Sequence, residues 1–186
     1  QTYIEEYGYA SNTHQIMQLA KGKLETVCKF DVRKVNYVLG EYERILADAK
    51  AAYIDPWAYA LNMPGTSGLQ VLLDAKRDPR YIVRGNNFGT VIHEAIRAQQ
   101  YDKLEFLLKN GVDPNIVSNN DPIHMTPLHF AIWQQSVEAV RLLVKYGADV
   151  QKTGLGQTAI DEVNFQIRSA PLRAEMLKLL SGKQGN

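Results

Sequence analysis

In the stretch VEAVRLLVKYGADV (137–150), Val140, Leu143 and Val144 fall at i, i+3 and i+4, the spacing of a stripe that a helix buries on one face. Gly147 follows as a stop in the left-handed conformation, and Asp149 helps to set the turn after it. Just upstream, TPLHFAIWQQ (126–135) predicts a second helix. The Thr126 hydroxyl can accept from an amide of its first turn, and Pro127 takes the first helical position, where a missing N–H costs nothing. Small residues at Ala131 and, earlier, Ala95 predict close approach by a neighbouring helix. The pattern is a helical hairpin. No single hairpin buries both of its faces, so a core requires neighbours to stack.

Nearer the amino end, FDVRKVNYVLGEYERILADAKAAY (30–53) places Val32, Val35, Leu39, Tyr42, Leu46, Ala49 and Tyr53 on one helical stripe, after an N-capping Asp31. THQIMQLAKGKLETV (13–27) reads as a shorter amphipathic helix ahead of it.

The hairpin recurs. TVIHEAIRAQQYDKLEFLLKNGVDPN (90–115), moved forward by 36 positions, lands without a gap on TPLHFAIWQQSVEAVRLLVKYGADVQ (126–151). Thr90 meets Thr126, His93 meets His129, Ala95 meets Ala131, Ile96 meets Ile132, Leu107 meets Leu143, Gly111 meets Gly147 and Asp113 meets Asp149. Moved back by 35, the same segment meets a weaker copy: DPWAYA (55–60) takes the place of TPLHFA, and LLDAKRDP (72–79) that of LLKNGVDP. A further unit opens at GQTAIDEV (156–163), with Thr158 in the place of Thr126. Its second half, MLKLL (176–180), requires about four extra residues, expected within NFQIRSAPLR (164–173).

These units resemble ankyrin repeats, whose marks are the TPLHxA signature, the LLxxGAD run and a period of about 33 residues. The resemblance covers about 55–180 and implies an all-α fold: a solenoid of stacked helical hairpins with short β-turn tips. The expected units are 55–89, 90–125, 126–157 and 158–182. Residues 1–54 do not fit the offset and read as an amino-terminal helical hairpin cap, or as a divergent first repeat.

Composition changes this picture little. The chain has 186 residues, and Lys+Arg 21 against Asp+Glu 20 leaves +1, with no pull toward nucleic acid or an acidic membrane. No run of about 18 apolar residues predicts a membrane span. Of ten tyrosines, Tyr3, Tyr7 and Tyr9 cluster at the start, and Cys28 is the single cysteine, which excludes an intramolecular disulfide. A chain that begins with Gln1 fits either a trimmed protein or a mature product after removal of a signal peptide, so the compartment stays open between cytoplasm and a periplasmic or secreted location.

Candidate chemistry is sparse. His124 and His129 stand five apart, not the i, i+4 of a helical metal site, and there is no HExxH. The resemblance implies that His93 and His129 are scaffold residues bonding the threonine and nearby backbone; His124 reads as an exposed turn residue, and His14 carries no signal. Cys28 reads as a small buried hydrophobe. GNNFG (85–89) and GLGQT (154–158) lack the spacing of a phosphate cradle and read as inter-repeat turns, while Asp161 and Glu162 read as helix caps or decoration. No cofactor or metal is expected, and the chain is expected not to be an enzyme. The alternative is an enzyme with its chemistry in residues 1–54 and repeats that recruit substrate.

Function is then a matter of the displayed surface. The resemblance implies a partner protein held by the hairpin tips and the concave face of the first helices. By position these are Asn86, Asn87 and Gly89 at the first tip with Arg97 behind it; Pro122, Ile123, Met125, Trp133 and Gln134 in the next unit; and Gly154, Leu155, Gln157, Phe165 and Gln166 in the last. Trp133 stands out, with Phe165 as its equivalent one repeat on, and apolar groups gathered on one surface are the material of interface hot spots. Against this stands packing of Trp133 over its neighbouring repeat, with Ile123 and Met125 folded back on the hairpin. The expectation is a monomeric, non-catalytic interaction module, in one version an inhibitor or neutralising partner.

Overall fold

The computed structural model describes residues 32–51, 55–80, 89–117, 125–154 and 156–182, with side chains in the first helix described from residue 39. The described residues form helices and turns: α1 (Val32–Ala51), α2 (Pro56–Asn62), α3 (Ser67–Asp74), α4 (Val91–Arg97), α5 (Tyr101–Lys109), α6 (Pro127–Trp133), α7 (Val137–Lys145), α8 (Ala159–Gln166) and α9 (Ala170–Ser181). Strand-like pairing among them is limited to a bridge between Gly154 and Gln157.

The helices come in pairs, and the pairs stack. α2, α4, α6 and α8 pack side by side as one layer; α5, α7 and α9 do the same as a second; α1 lies against α2 and α3. Ala60, Ala95 and Ala131 are buried where the first-layer helices meet, and a methyl group at each position lets the backbones approach closely. Leu104, Leu107, Val140 and Leu143 fill the space between layers.

The starts of the first-layer helices repeat one device. Asp55 accepts the Trp57 amide at 2.7 Å, Thr126 accepts that of His129 at 3.4 Å and Thr158 accepts that of Asp161 at 3.3 Å. Pro56 and Pro127 occupy the first turn as expected. The ends repeat another device: Gly111 (φ 84°) and Gly147 (φ 99°) are left-handed, and Lys76 (φ 52°) stands at the same register position in the earlier copy. In the turn that follows, Asp78, Asp113 and Asp149 each accept the amide two residues on, at 2.8, 2.8 and 2.9 Å.

One sequence expectation is corrected in part. In α1 Tyr42 and Ala49 are deep as expected, but the face that meets α2 and α3 buries Ile45 in place of Leu46, which is only half-buried. In the last pair the extra residues fall within 164–173, as expected: α8 runs to Gln166, 167–169 join it to α9, and α9 has 12 residues against the 9 of α5 and α7.

Candidate partner-binding surface

The threonine–histidine pairs come first, because they decide whether the imidazoles are free to act. Thr90 Oγ1 lies 2.9 Å from His93 Nδ1, and Thr126 Oγ1 lies 2.7 Å from His129 Nδ1. On the far side of each ring, Nε2 reaches a carbonyl of the next repeat: Met125 O at 3.1 Å and Gln157 O at 3.0 Å. A carbonyl only accepts, so each Nε2 carries the proton and each Nδ1 accepts from the threonine hydroxyl. Both rings are therefore neutral, buried and committed at both nitrogens. Burial holds the His129 pKa below its ordinary 6.5, against an opposing pull from the Gln157 carbonyl. Neither ring is available as a base or a ligand.

The packing around His129 is tight. Gly154 and Gln157 exchange backbone bonds at 3.0 and 3.1 Å, and this turn lies against the imidazole. A Cβ placed on Gly154 would stand 2.7 Å from Nδ1 and 2.9 Å from Cγ of His129. Among the described residues no group of three or more His, Cys, Asp or Glu side chains is placed to hold a metal ion.

The surface the scaffold displays is more distinctive. Trp133 is 53% exposed and Phe165 77%, the large apolar residues most open to solvent among those described. Each stands seven residues after its capping threonine, Thr126 or Thr158, and Arg97 stands seven after Thr90. Arg97, Trp133 and Phe165 thus form one column down the first layer, across α4, α6 and α8. From Arg97 to Trp133 the column is joined in contact as well as register. The Arg97 guanidinium lies 5.4 Å from the Phe130 ring centre while pairing with Glu94, and Phe130 lies 5.8 Å from Trp133. Phe130 in turn meets His93 edge-on at 5.3 Å, which ties the exposed aromatic to the buried brace.

The remaining expected positions divide. Gln134 is exposed; Gln157 and Gln166 are half-buried. Gly89 and Gly154 are buried. Met125 is corrected: at 8% exposure its side chain belongs to the core rather than the tip, because its carbonyl is drawn inward to His93. Asn86, Asn87, Pro122, Ile123 and Leu155 lie outside the described residues, as do His14, Cys28, His124 and the amino-terminal tyrosines. Glu162, read from the sequence as a helix cap or decoration, is corrected as well. It is buried, with Oε2 accepting from Gln157 Nε2 and Oε1 lacking a hydrogen-bond partner. Its register, four after Thr158 where Phe130 is four after Thr126, was the available signal.

A family model for ankyrin repeats, with three copies, matches residues 58–154. The chain belongs to the ankyrin repeat family. An ankyrin repeat protein of Rickettsia felis is 31% identical over 107 residues, 54% of this chain and 46% of that protein. One of fowlpox virus is 32% identical over 62 residues, 33% of this chain and 14% of its own length, so the chain spans less than half of either relative. In fold, the chain is similar to an ankyrin repeat domain from Acinetobacter baumannii, with TM-score 0.56 and 23% identity over 95% of this chain and 97% of that one. Ankyrin repeats are in general protein–protein interaction modules and typically non-catalytic. No helix among the described residues is long and apolar enough to cross a membrane.

Proposed function

We propose that this ankyrin stack acts by occupying a partner protein's surface, with the Arg97–Trp133–Phe165 column at the centre of the contact. The observation that carries the reading is the exposure of Trp133 and Phe165 at one register position on adjacent helices, since aromatic and arginine side chains grouped on a surface are the usual anchors of binding. Gln134 and Gln166 border the column and supply amide donors and acceptors for a rim. The tip residues Asn86, Asn87, Pro122, Ile123, Leu155 and Gln157 extend the surface on the strength of the family resemblance. Occupancy of this kind masks whatever the partner's surface does, which is the physical content of an inhibitory or neutralising role. Residues 1–54 serve in this reading as the cap of the stack, and the chain acts as a monomer.

The test is affinity capture with the protein and with a Trp133→Ala/Phe165→Ala variant. The variant removes exposed side chains and leaves the core intact, so its circular dichroism and Tm should match the parent. A specific partner held by the parent and lost by the variant supports the surface; equal recovery by both removes it.

A further inference from the structure

Glu162 is a buried acid that the scaffold leaves with an unbonded oxygen. Its side chain is buried, yet Oε1 has no hydrogen-bond partner and none of the ion pairs among the described residues includes it. The His129 ring does not serve as its cation, because that imidazole is neutral with both nitrogens in use. Gln157 gives Oε2 one amide proton and leaves Oε1 without a donor. A carboxylate removed from water without a cation is expensive to keep, so its natural complement is a positive group.

The register shows what lies beside it. Arg97, seven after its cap, lies over Phe130, four after the next cap, at 5.4 Å. The same step one repeat on brings Trp133 of α6 to the position of Glu162 on α8, two helices packed side by side. Phe165 follows Glu162 by three residues and so stands over it on the next turn of α8. By register, then, two exposed aromatic residues neighbour the position of a buried carboxylate whose Oε1 has no hydrogen-bond partner. Where the preceding repeat fills this position itself, with Phe130 beneath Arg97, the last repeat places an acid there.

Resting on the reading of the column as an interface, we propose that the surface between Trp133 and Phe165 is an anchor site for one arginine side chain of the partner protein, whose guanidinium stacks on the two rings and pairs with Glu162. A planar, weakly hydrated guanidinium suits both halves of the site, since it stacks on aromatic faces and binds carboxylates through two parallel N–H groups. Exposed side chains turn at little cost, so Phe165 swings aside to admit it.

The experiment needs no partner. Nα-acetyl-arginine amide is titrated into the protein while tryptophan fluorescence is followed, with Nα-acetyl-citrulline amide as the neutral isostere; Trp57 is fully buried, so the response reports Trp133. The site predicts a saturable change with the arginine derivative and none with citrulline, weakened about tenfold or more in Glu162→Gln and in Phe165→Ala. Glu162→Gln keeps the side-chain volume, and Phe165→Ala changes only an exposed ring, so one of the two reports even if the other unfolds. Equal responses to arginine and citrulline, or arginine binding unchanged in the folded variants, overturn the proposal. Partner capture that depends on Trp133 and Phe165 but comes without an arginine response keeps the interface and removes the cationic anchor.

Discussion

At the scale of single residues, the scaffold depends on polar groups buried with their partners fixed. The histidines show how far a motif carries. Their bond to the threonine was legible in TPLH, whereas the reach of Nε2 into the next repeat depends on stacking distance, which no single repeat encodes. Asp161 replaces this histidine in the last pair and turns back on Thr158, accepting from its amide at 3.1 Å and its hydroxyl at 2.6 Å. Gly154 shows the tightness of the arrangement. Gly154→Ala should lower stability by about 1–3 kcal/mol in urea denaturation, because the His129 ring is held on both sides and cannot retreat; an unchanged midpoint would mean that the turn shifts freely. Asp55 offers a prediction in pH. Burial pushes its carboxyl from 3.8 up to about 6, against the opposing pulls of Arg77 and the Trp57 and Ala58 amides. Between those values the folded chain binds a proton more tightly than the unfolded chain, so this group's contribution makes the fold less stable as pH rises through the window. Asp55→Asn keeps the cap without the charge, and its stability advantage over the parent should be present at pH 7 and shrink as pH falls below about 6. An advantage independent of pH would contradict the assignment.

At the scale of elements, the helix boundaries were readable because caps and stops are local chemistry, while the buried face of α1 was readable only in part. Its stripe gave Tyr42 and Ala49, and the contact with α2 and α3 buries Ile45 in place of Leu46. Comparison of like elements identifies a strained one. Lys76 adopts φ 52° where Gly111 and Gly147 stand in the other copies, and a left-handed side-chain-bearing residue costs about 1–2 kcal/mol, partly offset by the greater freedom that glycine has when unfolded. Lys76→Gly should therefore raise unfolding stability by about 0.5–1 kcal/mol, measured by the urea midpoint at constant slope. A loss of stability would show that the lysine side chain contributes more than its backbone costs.

At the scale of the whole molecule, each pair is held by its neighbours through bonds that cross between repeats. Lys103 donates to the carbonyls of Leu61 and Met63 at the end of α2, the latter at 2.7 Å. Tyr101 OH meets Ser136 Oγ at 2.9 Å, and Glu105 accepts from Lys145 and Tyr146 at 2.7 and 2.9 Å, which holds its carboxyl down to about 2. Pairs with a neighbour on both sides are stabilised twice, so amide exchange should be slowest in α4 to α7 and faster in α9; uniform protection across these helices would contradict a stack held by nearest neighbours. The repeat offsets made this architecture legible, and they placed Trp133 and Phe165 on one column. They did not reveal the Arg97–Phe130 stack or the burial of Glu162, because those depend on which side chains face one another across two helices. The central claim, that this column is where the partner sits, is tested most directly by the affinity of a captured partner for the parent and for Trp133→Ala/Phe165→Ala, measured by calorimetry. The account predicts a loss of about thirtyfold or more, in keeping with the loss of a hot spot, at an unchanged Tm; equal affinity for the two proteins would contradict it.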